Sequence, residues 1–138
     1  MTTATSLDEL LGRDEPHATF HDAELLSIAI DHQASKLVAT WRLCVGDPSA
    51  SDAVERKRRR DGQLVLHGLA FWVTEPPSEV HSGPPWLTAD GPLSDSPNAN
   101  GRDLAQFVPA GGVGWYLYFS DSNSFAYWGA GSARFQWV

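Results

Sequence analysis

The side chains best suited to chemistry gather in one segment, Phe20-His21-Asp22-Ala23-Glu24-Leu25-Leu26. His21 and Asp22 form an HD pair, and Glu24, Asp31 and His32 follow closely. An HD pair suggests a metal-dependent phosphohydrolase, but that chemistry needs further His and Asp ligands on several long helices. No such helices are readable here. A backbone role is expected instead. Asp22 can accept amide bonds where the first strand begins, and His21 can donate to a carbonyl.

His21, His32, His67 and His81 are the conceivable metal donors, because imidazole with carboxylate suits zinc or iron. Their spacing argues against it. His21 and His32 fall at opposite ends of one strand, and ten residues of strand span about 33 Å. No metal and no cofactor are expected. Ser94, Ser96, Ser120, Ser122, Ser124 and Ser132 lack the G-x-S-x-G elbow of a nucleophile. Gly111-Gly112-Val113-Gly114 and Gly129-Ala130-Gly131 do not lead from a strand into a helix, so no phosphate cradle is indicated. No catalytic residue is assigned. The residues singled out for binding are His21, Asp22, Asp31, His67 and Trp86.

The elements that must position these residues are mostly strands. Leu26, Ile28 and Ile30 alternate with Ser27, Ala29 and Asp31. Leu37, Ala39, Trp41, Leu43 and Val45 alternate with the residues between them. The two runs predict a β-hairpin across His32-Gln33-Ala34-Ser35. Asp61-Gly62 suits a type I′ turn. It is expected to join an edge strand over 54–60 to a strand over 63–73. Residues 114–120, 125–130 and 133–138 read as further strands, with Asp121–Ser124 a turn and Gly131-Ser132 a break.

The fold class expected is mainly β, an antiparallel meander forming a curved sheet, sandwich or partly closed barrel. A short N-terminal helix is expected over Leu7–Leu11, opened by a Ser6/Glu9 capping box. Residues 1–5 should fray. Seven of the nine prolines fall in 76–109, which reads as a long irregular excursion with a helical turn at Arg102–Phe107. The whole chain, 1–138, reads as one domain.

Composition narrows the function classes. Net charge is −7, and five of the ten basic residues form one run, Arg56–Arg60, leaving 5 basic against 17 acidic residues elsewhere. Such a body repels nucleic acid, so no nucleic-acid partner is expected. The single cysteine, Cys44, excludes an internal disulfide and is expected to be a sheet residue. No apolar run reaches membrane-spanning length, and the N-terminus has no basic-then-apolar leader. A cytoplasmic protein without membrane partners is the expectation.

The run Phe20–Asp31 resembles the opening of small uncharacterised bacterial β-proteins, which step from an HD-small-acidic-Leu motif into a strand ending in Asp. Gly68-Leu69-Ala70-Phe71 extends the likeness loosely. Some proteins of that kind are regarded as immunity proteins paired with bacterial toxins. The resemblance implies that His21, Asp22 and Asp31 are family-typical positions, with no chemistry assigned to them.

The leading expectation is therefore a non-enzymatic binding or interaction protein with a protein partner, of immunity type. The rival is a small-molecule binder or enzyme with a pocket between the sheet and the 76–109 loop, lined by Trp72, Trp86, Trp115 and Trp128. Self-association through the aromatic C-terminal strands is a third expectation.

Overall fold

The computed structural model describes residues 6–78 and 82–138, so residues 1–5 and His81 lie outside the described residues. Among the described residues, six antiparallel strands form one curled, half-barrel sheet. They are β1 (Thr19–Asp31), β2 (Lys36–Cys44), β3 (Arg59–Thr74), β4 (Ala89–Pro92), β5 (Val113–Phe119) and β6 (Ser124–Trp137). Their order across the sheet is β1-β2-β3-β6-β5-β4. Among the described residues, no helix is long and apolar enough to cross a membrane.

The expected hairpin is present as β1 and β2, though β1 starts earlier, at Thr19. The alternation in β2 does what a period of two requires. Leu37, Ala39, Trp41 and Leu43 are fully buried on the concave face, while Cys44 is a half-buried sheet residue on the other side. Leu64 and Leu66 of β3 continue that face, and Phe135 of β6 packs against it. Aromatic rings knit the concave layer. Phe20 meets Trp41 edge-on at 5.5 Å and Phe135 at 5.6 Å. Trp41 stacks on Phe119 at 6.4 Å, and Trp115 on Trp128 at 6.3 Å.

Four expectations about β3, β6 and the N-terminus are corrected. Asp61-Gly62 is not a turn, because β3 runs straight through it between β2 and β6. Gly62 faces Trp41 on one neighbour and Trp137 on the other. A Cβ there would lie 2.1 Å from the Phe135 ring. The glycine makes room for a ring rather than for a positive φ. Residues 54–60 are therefore not an edge strand. They hold a short helix, α1 (Ala53–Arg56), capped by the Asp52 carboxylate at 3.0 Å, and then enter the middle of the sheet. Gly131-Ser132 does not break β6 either, since the paired strand bends with it at Gly68, whose φ is 63°. The Ser6 hydroxyl makes no capping bond, although the expected short N-terminal helix is present as a 3-10 helix over Leu7–Leu10. Its first amide, on Leu7, donates instead to Asp90 Oδ2 at 2.7 Å.

The excursion is more regular than its prolines suggest. It supplies β4 and a helix, α2 (Ala99–Leu104), which Asn98 caps earlier than the expected turn and a 3-10 turn continues over Ala105–Phe107. Residues 93–108 cover the convex face of β5 and β6. Leu93 and Val108 sit so close to Gly114 that a Cβ there would meet both within 2.6 Å. One stretch also spans the gap in the barrel. Leu87 exchanges backbone bonds with Asp22 and Ala23 of β1, and the next residue, Thr88, bonds Tyr118 of β5.

The N-terminal strap, residues 6–18, seals the concave face with Leu7 and Leu11. Three carboxylates hold it. Asp90 accepts the Leu7 amide and the Trp115 indole N–H, the latter at 2.8 Å. Burial pushes the Asp90 carboxyl up despite those bonds. Asp8 accepts from the Phe20 amide at 2.7 Å and the Thr19 hydroxyl at 3.0 Å. Glu15, 9% exposed, receives both Arg58 and Arg60 at 3.1 Å. The Arg58 hydrogen bonds, opposed by burial and aided by Arg60, hold Glu15 below the usual carboxylate range.

Two outcomes follow. Gly62→Ala should cost about 1–3 kcal/mol through overpacking against Phe135, read by urea denaturation. Glu15 has a depressed folded pKa, so its stabilisation is complete above the ordinary glutamate range and is lost as pH falls through the folded value. Glu15→Gln should lower the melting temperature at pH 7 by several degrees and flatten that acid limb, read by thermal unfolding across pH.

Candidate functional site

The five residues singled out from the sequence do not converge. His21 and Asp22 sit in a bulged stretch of β1, where the register slips between Thr19 and Glu24. Asp22 adopts a φ of 64°, which turns its side chain out to solvent. Its carboxylate meets His21 Nδ1 at 3.3 Å rather than accepting backbone amides, and its own amide donates to Leu87 at 2.8 Å. The expected donation from His21 to a backbone carbonyl gives way to this exposed pair.

Asp31 is at the far end of β1, where Oδ1 accepts the Ala34 amide at 3.1 Å and shapes the hairpin turn. His67 lies two strands over in the same cross-strand row, with Lys36 between them. Its Nε2 accepts from Arg134 at 3.4 Å. Trp86, half-exposed, bridges to Glu24 of β1 and donates its amide to Asp121 Oδ2 at 3.2 Å. Trp115 and Trp128 are buried in the core. Among the described residues, no group of three or more His, Cys, Asp and Glu could hold a metal ion.

The basic run is largely used internally. Arg58 and Arg60 bind Glu15, Arg58 also reaches Glu55, and Arg59 lies 3.6 Å from Glu24. Arg56 donates to the carbonyls of Ala50 and Ser51.

A different place is built as a site. The bridging segment pairs with β1 only as far as Leu25, whose amide donates to Pro85 at 3.0 Å. Beyond that point the barrel wall parts. A cleft of about 260 Å³ opens there, with Leu25 and Ile28 of β1 on one side and Phe119, Ser122, Ser124 and Ala126 on the other. Pro77, Gly83 and Pro85 of the excursion complete it. Among the described lining residues, Glu75 carries the charge.

Glu75 is firmly placed. It follows β3 immediately and accepts from the Phe125 amide at 3.3 Å, the Tyr127 hydroxyl at 3.1 Å and the Asn100 amide group at 3.4 Å. The Tyr127 hydroxyl also meets Asn98 Oδ1 at 2.9 Å. Burial, with Glu75 adding to it, pushes the Tyr127 phenol up to about 12, so it stays protonated and donates. This network ties the cleft to the excursion on the convex face, where Asn98 and Asn100 belong to the α2 cap and helix.

Sequence reasoning missed Glu75 and Tyr127. The available signal was position: Glu75 is the last residue before Pro76-Pro77, where strand gives way to excursion. The cleft lies between sheet and excursion residues, but the expected lining is corrected: none of Trp72, Trp86, Trp115 and Trp128 is among its described lining residues. Comparison with known proteins finds no matching family model, no matching curated protein and no matching solved structure.

The contrast between the two places is measurable. His21→Ala should change stability by no more than about 0.5 kcal/mol, as an exposed residue does. Glu75→Ala leaves the Phe125 amide and Tyr127 hydroxyl without their acceptor and should cost about 1–3 kcal/mol. Equal losses in denaturant titrations of the two variants would contradict this assignment.

Proposed function

We propose that this chain is a non-enzymatic interaction protein, of the immunity type its opening strand resembles, and that it meets a protein partner at the open seam of the half-barrel. The observation that carries the reading is the seam itself. An apolar cleft with one carboxylate lies beside a strand edge that the chain's own bridging segment leaves unpaired after Leu25. The inward-facing Ile28 and Ile30 next to it are 37% and 41% exposed. Exposed apolar side chains beside a free sheet edge mark interaction surfaces.

Charge supports the same reading. The net charge is −7, and the exposed Arg58, Arg59 and Arg60 are locally balanced by Glu15, Glu24 and Glu55. An acidic surface speeds association with a basic protein and disfavours nucleic acid. A cytoplasmic setting is part of this proposal.

A small-molecule ligand in the same cleft is the second reading, favoured by the Ser122 and Ser124 hydroxyls at its wall. Size weighs against it. The cleft, about 260 Å³, falls just below the roughly 300–1,000 Å³ of typical ligand pockets.

The test is a photo-crosslinking amino acid at Ile28, introduced in the native cell. One protein captured in stoichiometric amount, and lost when the crosslinker is moved to Val54 on the far surface, is the expected result. No protein adduct at Ile28, together with melting-temperature shifts from metabolites that Ala126→Phe abolishes, would overturn the protein-partner reading in favour of the small molecule.

A further inference from the structure

We infer that the partner is held by strand addition: an extended segment, alternating apolar with basic residues, pairs with the free edge of β1 over residues 26–31. This deepens the interaction reading and rests on it. The structure already contains the pattern. Residues 85–87 lie antiparallel against β1, with backbone bonds to Asp22, Ala23 and Leu25. After Leu25 the prolines Pro84 and Pro85 are reached, and proline has no amide to continue a ladder.

Among the described residues, no backbone bond reaches the outward edge of β1 from Leu26 to Asp31, although β1 is the terminal strand there. Residues 27–31 are exposed. This edge lacks the usual protections. It carries no lysine, arginine or proline over 26–31, and its one register slip, between Leu25 and Ser27, lies at its start.

An added strand would sit between β1 and the β5–β6 turn, where the described residues leave the barrel wall open. Alternate side chains of a strand point to opposite faces. One set would enter the cleft against Leu25, Ile28, Phe119 and Ala126, which asks for apolar residues. The other set would point outward beside the Asp31–Lys36 cross-strand pair, over a body of net charge −7, and it is that overall charge which favours Lys or Arg there. The charge also decides against a second copy of this chain, because two such bodies repel.

The probe is a synthetic peptide of alternating valine and lysine, seven residues long, added to the full chain. Three companions isolate the causes: the same peptide N-methylated at alternate residues, a valine–glutamate analogue, and the Ile28→Lys variant of the protein. The expected result is slowed amide exchange at residues 26–31 with the valine–lysine peptide. Binding should weaken by about tenfold or more on N-methylation, on charge reversal and in the variant.

Equal affinity for the N-methylated peptide would overturn strand addition while leaving the cleft as a binding site. Binding by neither peptide, with an Ile28 crosslink still captured in the cell, would overturn the stated partner chemistry alone. Sedimentation as a dimer that Ile28→Lys converts to monomer would replace the partner strand with a second copy.

Discussion

The structure depends on closing a sheet that is too narrow to close on itself. Six strands curl far enough to give a concave apolar face, yet β1 and β4 do not pair directly. Two devices cover what the curl leaves open. The strap lays Leu7 and Leu11 over one part of the face, and residues 85–92 stitch β1 to β5 across another. Both bury leucines, Leu7 and Leu11 in the strap and Leu87 in the stitch, and both are fastened by polar contacts as well. The strap needs Asp90, Glu15 and Asp8, and the stitch needs the amides and carbonyls of the bulged start of β1. Where neither device reaches, the wall stays open, and that opening is the cleft.

Charge is organised by the same requirement. A basic run beside an acidic body looks like an attachment point for something else. In the folded chain Arg58 and Arg60 clamp Glu15 of the strap, and Arg60 also lies 5.1 Å from the Trp137 ring. Arginine suits this because its planar fork satisfies a carboxylate from two sides while its face rests on an aromatic ring. The cluster fastens the strap to β3, and the exposed arginines are balanced there by Glu15 and Glu55.

Much of the sheet was legible because period-two patterns have one physical meaning when one face is buried. Leu37, Ala39, Trp41 and Leu43 could not be read otherwise. Glycine was harder. Asp61-Gly62 has the composition of a turn, but its small size serves a ring contributed from Phe135, a partner no local pattern reveals. The strap's anchors were hidden for the same reason, since Leu7 and Asp90 are joined only by the folded chain. The candidate site was half legible. Its location at the junction of sheet and excursion follows from composition, whereas Glu75 and Tyr127 gain their roles from an amide and a helix cap far away in sequence. His21 and Asp22 drew notice as a dipeptide, and the bulge that turns Asp22 outward is a matter of register.

The Leu7–Asp90 bond spans 83 residues and also governs how the chain comes into being. Synthesis delivers Leu7 well before its acceptor and the Trp115 indole that shares it. β3 must likewise wait for β6, which pairs with it from the C-terminal end of the chain. Leu7 is therefore placed only after residues made much later than itself. Until β6 has been made, the nascent chain holds Leu7, Leu11 and the apolar face of the β1–β2 hairpin without cover, an interval in which a holding chaperone has the most to grip.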